Sequence, residues 1–292
     1  MKGKGSKLKK QIPNIILALV FIIGLGIFLY PSISNFLNTW LQNRELSNYT
    51  HEVSELSTEK YDKLINDAKE YNANLVGNNL RRNAENIKNT DYPNLLSLDK
   101  KGIIGYLSIE KIDVKLPIYH GTSNSALQVG IGHLEGSSLP VEGESVHCVV
   151  SGHTGLPSAK LLTDLVELKV GDTFRINVLN ERYTYIVDQI LVVEPNETDA
   201  LEIVEGKQYA TILTCTPYGV NSHRLLVRGE LVNNVIESDV VADATIVDSS
   251  TITIILSAIL MIILFIVMIN IRKRKENKER NNDNNEEEDI SK

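Results

Sequence analysis

The chain has 292 residues and a formal net charge of −7, which leaves room for one sizeable domain with appendages. The first ten residues carry five lysines and no acid, Arg272–Lys275 is wholly basic, and the tail closes on an acidic run at Glu286–Asp289. Each basic cluster abuts an apolar run, which argues against a nucleic-acid surface.

Those apolar runs come first in chain order. Gln11 to Asn43 holds no charged residue, and its core, Ile15 to Tyr30, is almost wholly apolar. Ser249 to Ile271 is a second uncharged run of 23 residues. A helix of about 20 apolar residues spans a bilayer, because its backbone polar groups satisfy one another. The N-terminal run also has the layout of a signal peptide. It lacks a small-x-small cleavage site and leads into a polar helical pattern, so it reads as an uncleaved span. Flanking basic residues stay cytoplasmic. The expectation is two membrane spans, at 12–35 and 249–271, with a cytoplasmic basic N-terminus (1–11) and a cytoplasmic charged tail (272–292). Everything between them lies outside the cell.

Residues from about 36 to 76 read as one or two amphipathic helices. Tyr61, Leu64, Ala68, Tyr71 and Leu75 recur at spacings of three and four, and Gly77 suits the end of a helix. The stretch from 78 to 100 is polar and asparagine-rich, and completes a helical and loop region over 36–100. From Gly102 short β-branched runs alternate with turn residues. Expected strands are Ile104–Ile109, Val114–Tyr119, Ser145–Ser151, Thr173–Leu179, Arg182–Val193, Tyr209–Cys215 and His223–Val232. A hairpin turn is expected at Asn180-Glu181, and Ser158 to Leu168 has helical spacing. Seven to eight short strands at this density indicate a mainly β barrel or sandwich over 101–232. Residues 233–248 read as a linker.

Chemistry centres on the cysteines, of which there are two, Cys148 and Cys215. In an extracellular domain they could form a disulfide. Cys148 lies within an apolar strand and reads as core. Cys215 closes the run Tyr-Ala-Thr-Ile-Leu-Thr-Cys, and Thr216-Pro217-Tyr218-Gly219 ends the strand at once. A thiol at a strand end is reachable, but it acts as the thiolate and needs a histidine or cation beside it. There are six histidines: His51, His120, His133, His147, His153 and His223. His153 stands out in Ser-Gly-His-Thr-Gly, another glycine-flanked strand end. Arg224 and Arg228 both begin or follow the next apolar run. Either could stabilise the oxyanion of acyl transfer, and spacing does not choose between them.

The stretch Thr211-Ile-Leu-Thr-Cys-Thr-Pro-Tyr-Gly-Val-Asn-Ser-His-Arg-Leu-Leu-Val-Arg-Gly229 resembles the signature of class C sortases, the pilin-polymerising branch. Leu116-Pro-Ile-Tyr-His-Gly-Thr, Gly132-His-Leu-Glu-Gly-Ser-Ser-Leu-Pro and Ser151-Gly-His-Thr-Gly-Leu-Pro-Ser-Ala-Lys-Leu resemble the same family. The resemblance covers roughly 100–232 and implies the sortase-type closed β-barrel. It carries Cys215 over as nucleophile, His153 as acid–base group, and Arg224, not Arg228, as the arginine. His120, His133 and His223 are then structural. It further implies cleavage of an LPXTG-like signal between Thr and Gly, transfer to a lysine amine of another pilin subunit, and no metal or nucleotide cofactor. A housekeeping sortase, serving a peptidoglycan amine, is the alternative. Many class C sortases carry a lid with an Asp-Pro- or Asp-Ser-aromatic string. Here Asp91-Tyr92-Pro93 differs in order, so no lid or a loose one is expected.

Overall fold

A computed structural model describes residues 4–77, 91–98, 101–232 and 256–274, with side chains from residue 16 in the first segment. The expected linker at 233–248, the tail beyond 274 and the loop from Asn78 to Thr90 lie outside the described residues. The chain divides into two compact units, Met1–Ile33 with Asp239–Lys292, and Ser34–Ser238.

Two helices are long and apolar enough to cross a membrane, Ile16–Ser54 and Leu256–Arg274. Their large side chains face outward: Ile27 is 71% exposed and Leu256 61%. A soluble core helix would bury such residues, so this exposure is consistent with membrane anchoring. Phe21 stacks on Phe265, ring centroids 4.0 Å apart. Helix α1 runs unbroken from Lys4 to Ser54, so the expected first span and the helix after it are one element.

The second unit is built on a closed barrel of eight strands. They are β1 (Ile103–Ile109), β2 (Val114–His120), β3 (Ile131–His133), β4 (Val146–Ser151), β5 (Thr173–Val178), β6 (Glu181–Val193), β7 (Gln208–Thr216) and β8 (His223–Leu231). The order around the barrel is β1-β2-β3-β4-β7-β8-β6-β5, closed by antiparallel pairing of β1 with β5. The β2–β3 and β4–β7 pairs are parallel, and the others are antiparallel. Closure removes the exposed edges that an open sheet would leave. The interior is filled by alternate residues such as Leu107, Ile118, Val150, Ile176, Tyr185 and Ile212, all fully buried. Each such side chain contributes about 1.5–3 kcal/mol by leaving water.

Two sequence expectations need correction. The β5–β6 hairpin turns one residue earlier than expected, on Leu179 and Asn180, because Val178 pairs with Glu181 and Leu179 takes the left-handed conformation (φ 52°). Ser158 to Leu168 forms no α-helix. Only a 3-10 turn at Thr163–Glu167 appears, while Leu161 and Leu162 are pulled into the core.

Helix α2 (Thr58–Leu75) is capped by Ser57, whose hydroxyl accepts from the Lys60 N–H at 3.3 Å. Gly77 follows it at φ +83°, a conformation glycine adopts without cost. Its expected face is the one that packs: Ala68, Tyr71 and Leu75 are buried, and Tyr61 and Leu64 are partly buried. Asn72 locks the next loop by exchanging two hydrogen bonds with Leu139, at 3.0 and 2.7 Å. On α1, Leu46, Tyr49 and Val53 are buried. The Tyr49 hydroxyl donates to the Ile104 carbonyl at 3.1 Å and accepts from the Leu179 N–H at 2.7 Å.

Candidate active site

Strand β7 alternates strictly near its end. Ala210 and Ile212 face the core, so Leu213 and Cys215 face outward. In β8, Leu225 and Val227 face in, which turns Arg224, Leu226 and Arg228 out. The register sets Cys215 directly opposite Arg224. Directly opposed residues share a face, with Cβ atoms about 4.5–5.5 Å apart.

His153 arrives from the other side of β7. Parallel pairing of β4 with β7 runs to Ser151 opposite Leu213. It continues beyond the strand: the Gly152 N–H donates to the Leu213 carbonyl at 3.0 Å, and the Thr214 hydroxyl donates to the Gly152 carbonyl at 2.8 Å. His153 and Cys215 are the next residues along the chain after these bonded ones, Gly152 and Thr214. The β7–β8 register thus opposes a thiol to a guanidinium, and the strand that leads to the imidazole of His153 borders β7 on its other side. All three are partly exposed.

The Arg224 Nη1 donates to the carbonyls of Asn221 at 3.2 Å and His223 at 3.0 Å. Its Nε and Nη2 hydrogens have no acceptor among the described residues. Arg228 differs. It forks onto Asp188, with Nε at 3.1 and 3.2 Å and Nη2 at 2.6 Å, and lies 4.2 Å over the Tyr209 ring. The Asp188 carboxylate holds its pKa still higher. Four residues further along the strand, it sits about 13 Å from Arg224. Of the two arginines, geometry leaves Arg224 beside the thiol.

Both cysteines are free. Cys148 is fully buried, and burial alone pushes its thiol up, away from the reactive thiolate. The remaining histidines have partners. His133 is engaged by the Tyr92 hydroxyl at 2.7 Å and the Ser138 carbonyl at 2.8 Å. His120 Nε2 donates to the Leu95 carbonyl at 2.5 Å. His223 meets Ser222 at 2.8 Å and Glu194 at 3.2 Å. His147 lies between the Glu202 carbonyl at 2.8 Å and the Thr211 hydroxyl at 2.7 Å. Tyr92 is 2% exposed and packs on Tyr71, His120 and His133. The aromatic residue of the nearest lid-like string is thus committed to the core, while Asp91 and Pro93 beside it are exposed.

Burial holds His133 and His147 at about 4, below the ordinary 6.5. Their folded-state values are depressed, so the unfolded chain binds the extra protons. Their contribution to stability is full above 6.5 and is lost as pH falls toward 4. Each histidine gives a slope of about 1.4 kcal/mol per pH unit. The thermal midpoint is expected to drop between pH 7 and pH 5, and His147→Gln is expected to shrink that drop. An equal drop in the variant would contradict the assignment.

Comparison with known proteins agrees with this barrel. A family model for the sortase domain matches residues 107–232. The crystal structure of sortase C1 from Streptococcus agalactiae is 51% identical, with a TM-score of 0.63, and the match covers 65% of this chain and 99% of that one. The sortase C structure from Streptococcus pneumoniae, whose title speaks of pilin substrate specificity, is 41% identical at a TM-score of 0.59, covering 65% and 97%. Sortase A of Bacillus anthracis is 31% identical over 138 residues, covering 47% of this chain and 63% of that protein. Two further curated relatives are covered over 61% and 54% of their lengths, so the chain matches less than two thirds of each of these three. The chain belongs to the sortase family, with class C sortases as its structural neighbours.

Proposed function

We propose that this chain is a membrane-anchored cysteine transpeptidase that builds pili. Its substrate is a secreted protein bearing an LPXTG-like signal, cut between Thr and Gly. The acyl group passes to a lysine amine of another pilin. The observation that supports this reading is the register that opposes Cys215 to Arg224, on a strand whose other neighbour ends two residues before His153.

The Cys215 thiolate attacks the threonine carbonyl carbon and forms a C–S bond. Arg224 hydrogen-bonds the oxyanion, where charge develops. His153 gives a proton to the leaving glycine amine as the C–N bond breaks, which leaves a thioester. The lysine amine attacks that thioester, His153 removes its proton, and the thiolate departs from a new isopeptide bond. Atoms balance without a metal or nucleotide. Incubation with a sorting-signal peptide is expected to add the acyl fragment's mass to Cys215, and a pilin with a free lysine is expected to discharge it into ladders. No adduct would refute the enzyme, and discharge only to a peptidoglycan amine would favour the housekeeping reading. The Sortase A relatives support that second reading at 22–31% identity, against 51% for sortase C1.

Both basic flanks lie on the cytoplasmic side in this proposal, with the barrel outside. Holding enzyme and substrate at one surface raises their effective concentration. Protease added to intact cells is expected to spare tags at both ends and to cut between residues 78 and 100. Digestion of an N-terminal tag would overturn the double anchor.

A further inference from the structure

One face of α1 carries Asn35, Asn38, Gln42, Leu46, Tyr49 and Val53 at steps of three and four residues, the spacing that stacks side chains along a helix. The last three are buried, and Tyr49 and Val53 join the core of the barrel. The first three carry amides. The Asn38 Nδ2 donates to the Ser158 carbonyl at 2.7 Å, and the Asn35 Oδ1 accepts from the Lys160 N–H at 2.9 Å. A carbonyl only accepts and a backbone N–H only donates, so these partners fix both amide orientations. Gln42 donates to the Val129 carbonyl at 2.9 Å.

Residues 158 and 160 belong to the loop that starts at His153. That loop contains one isolated bridge, Leu156 with Ala159, and returns to its origin, where the Leu162 N–H donates to the His153 carbonyl at 3.2 Å. Its other flank meets the turn after Cys215. A Cβ on Gly155 would lie 2.9 Å from the Tyr218 ring, and Gly155 sits at φ +73°. The loop is therefore gripped between the Cys215 turn and two amides of α1.

We propose that Asn35 and Asn38 are positioning residues for His153, so that this part of α1 belongs to the catalytic device. The inference rests on His153 as the acid–base group. It is tested on the full-length chain in detergent by two readouts. One is the pH profile of Cys215 alkylation by iodoacetamide, resolved from Cys148 by peptide mass mapping. The other is turnover of a sorting-signal peptide. Asn38→Asp keeps the shape, loses the donor and sets a carboxylate against a carbonyl. It is expected to cut kcat at least about tenfold with KM nearly unchanged, and to shift the alkylation profile toward that of His153→Ala. Asn38→Ala should fall in the same direction. Asn35→Asp retains the acceptor and is expected to stay within about threefold, whereas Asn35→Ala is not. Wild-type behaviour of both Asn38 variants would overturn the proposal, as would equal losses in the two aspartate variants. If His153→Ala itself leaves the alkylation profile unchanged, the assignment of His153 fails first. If it alters the profile and Asn38→Asp does not, only the positioning role fails.

Discussion

Cys215→Ala is expected to abolish the thioacyl adduct and lower peptide turnover by more than about ten-thousandfold, the scale seen when a covalent nucleophile is removed. The fold should not change. Cys215 is partly exposed at the end of β7, and its outward face puts the sulfur outside the core. Such a truncation shifts stability by within about 0.5 kcal/mol. Cys148→Ala provides the contrast. Its thiol is buried among core residues, so the variant is expected to lose about 1–2 kcal/mol of stability and keep its turnover. Intact-mass measurement on both variants, with thermal midpoints alongside, separates the two cysteines. A normal adduct on Cys215→Ala would remove the nucleophile assignment.

Much of this site was legible because strand ends are marked by their residues. Pro217 and Gly219 stop β7 just after Cys215, and Gly152 and Gly155 bracket His153. Both side chains could be placed at an edge before their neighbours were known. That their two strands are neighbours was not legible, since β4 and β7 are parallel partners far apart in the chain. Strand β3 escaped notice because three residues, Ile131–His133, cannot show an alternation. The helical spacing from Ser158 to Leu168 misled for a different reason. Leu161, Leu162, Leu165 and Leu168 are all buried, but a loop satisfies that burial as well as a helix would. Asn35 and Asn38 carried no signal, because each partner is a backbone group at least 120 residues away and any sequence supplies one. The histidines split the same way. Their glycine-rich and apolar surroundings did not say that His147 would bridge Glu202 and Thr211.

The two arginines of β8 give the second large effect. Residues alone could not choose between Arg224 and Arg228, while the strand register pairs Arg224 with Cys215 and the ion pair commits Arg228 to Asp188. Lysine keeps the charge of arginine but loses its planar fork. At position 224 that fork is the proposed oxyanion donor, and losing such a donor costs on the order of 2.7–4 kcal/mol of transition-state stabilisation. Arg224→Lys is therefore expected to lower kcat at least about a hundredfold, with a nearly unchanged thermal midpoint, because its present bonds are to two carbonyls at the edge of β8, one exposed and one part-buried. At position 228 the same change breaks the two-pronged contact with Asp188 and weakens the stacking on Tyr209. The pair is partly exposed, with side chains 19% and 26% accessible, so the loss is expected to be only about 1 kcal/mol of stability. Turnover should remain within about threefold of wild type. Steady-state kinetics and thermal unfolding on the two variants read these effects separately. If Arg228→Lys instead shows the greater loss of turnover, then the guanidinium that serves the thiol is the one four residues further along the strand.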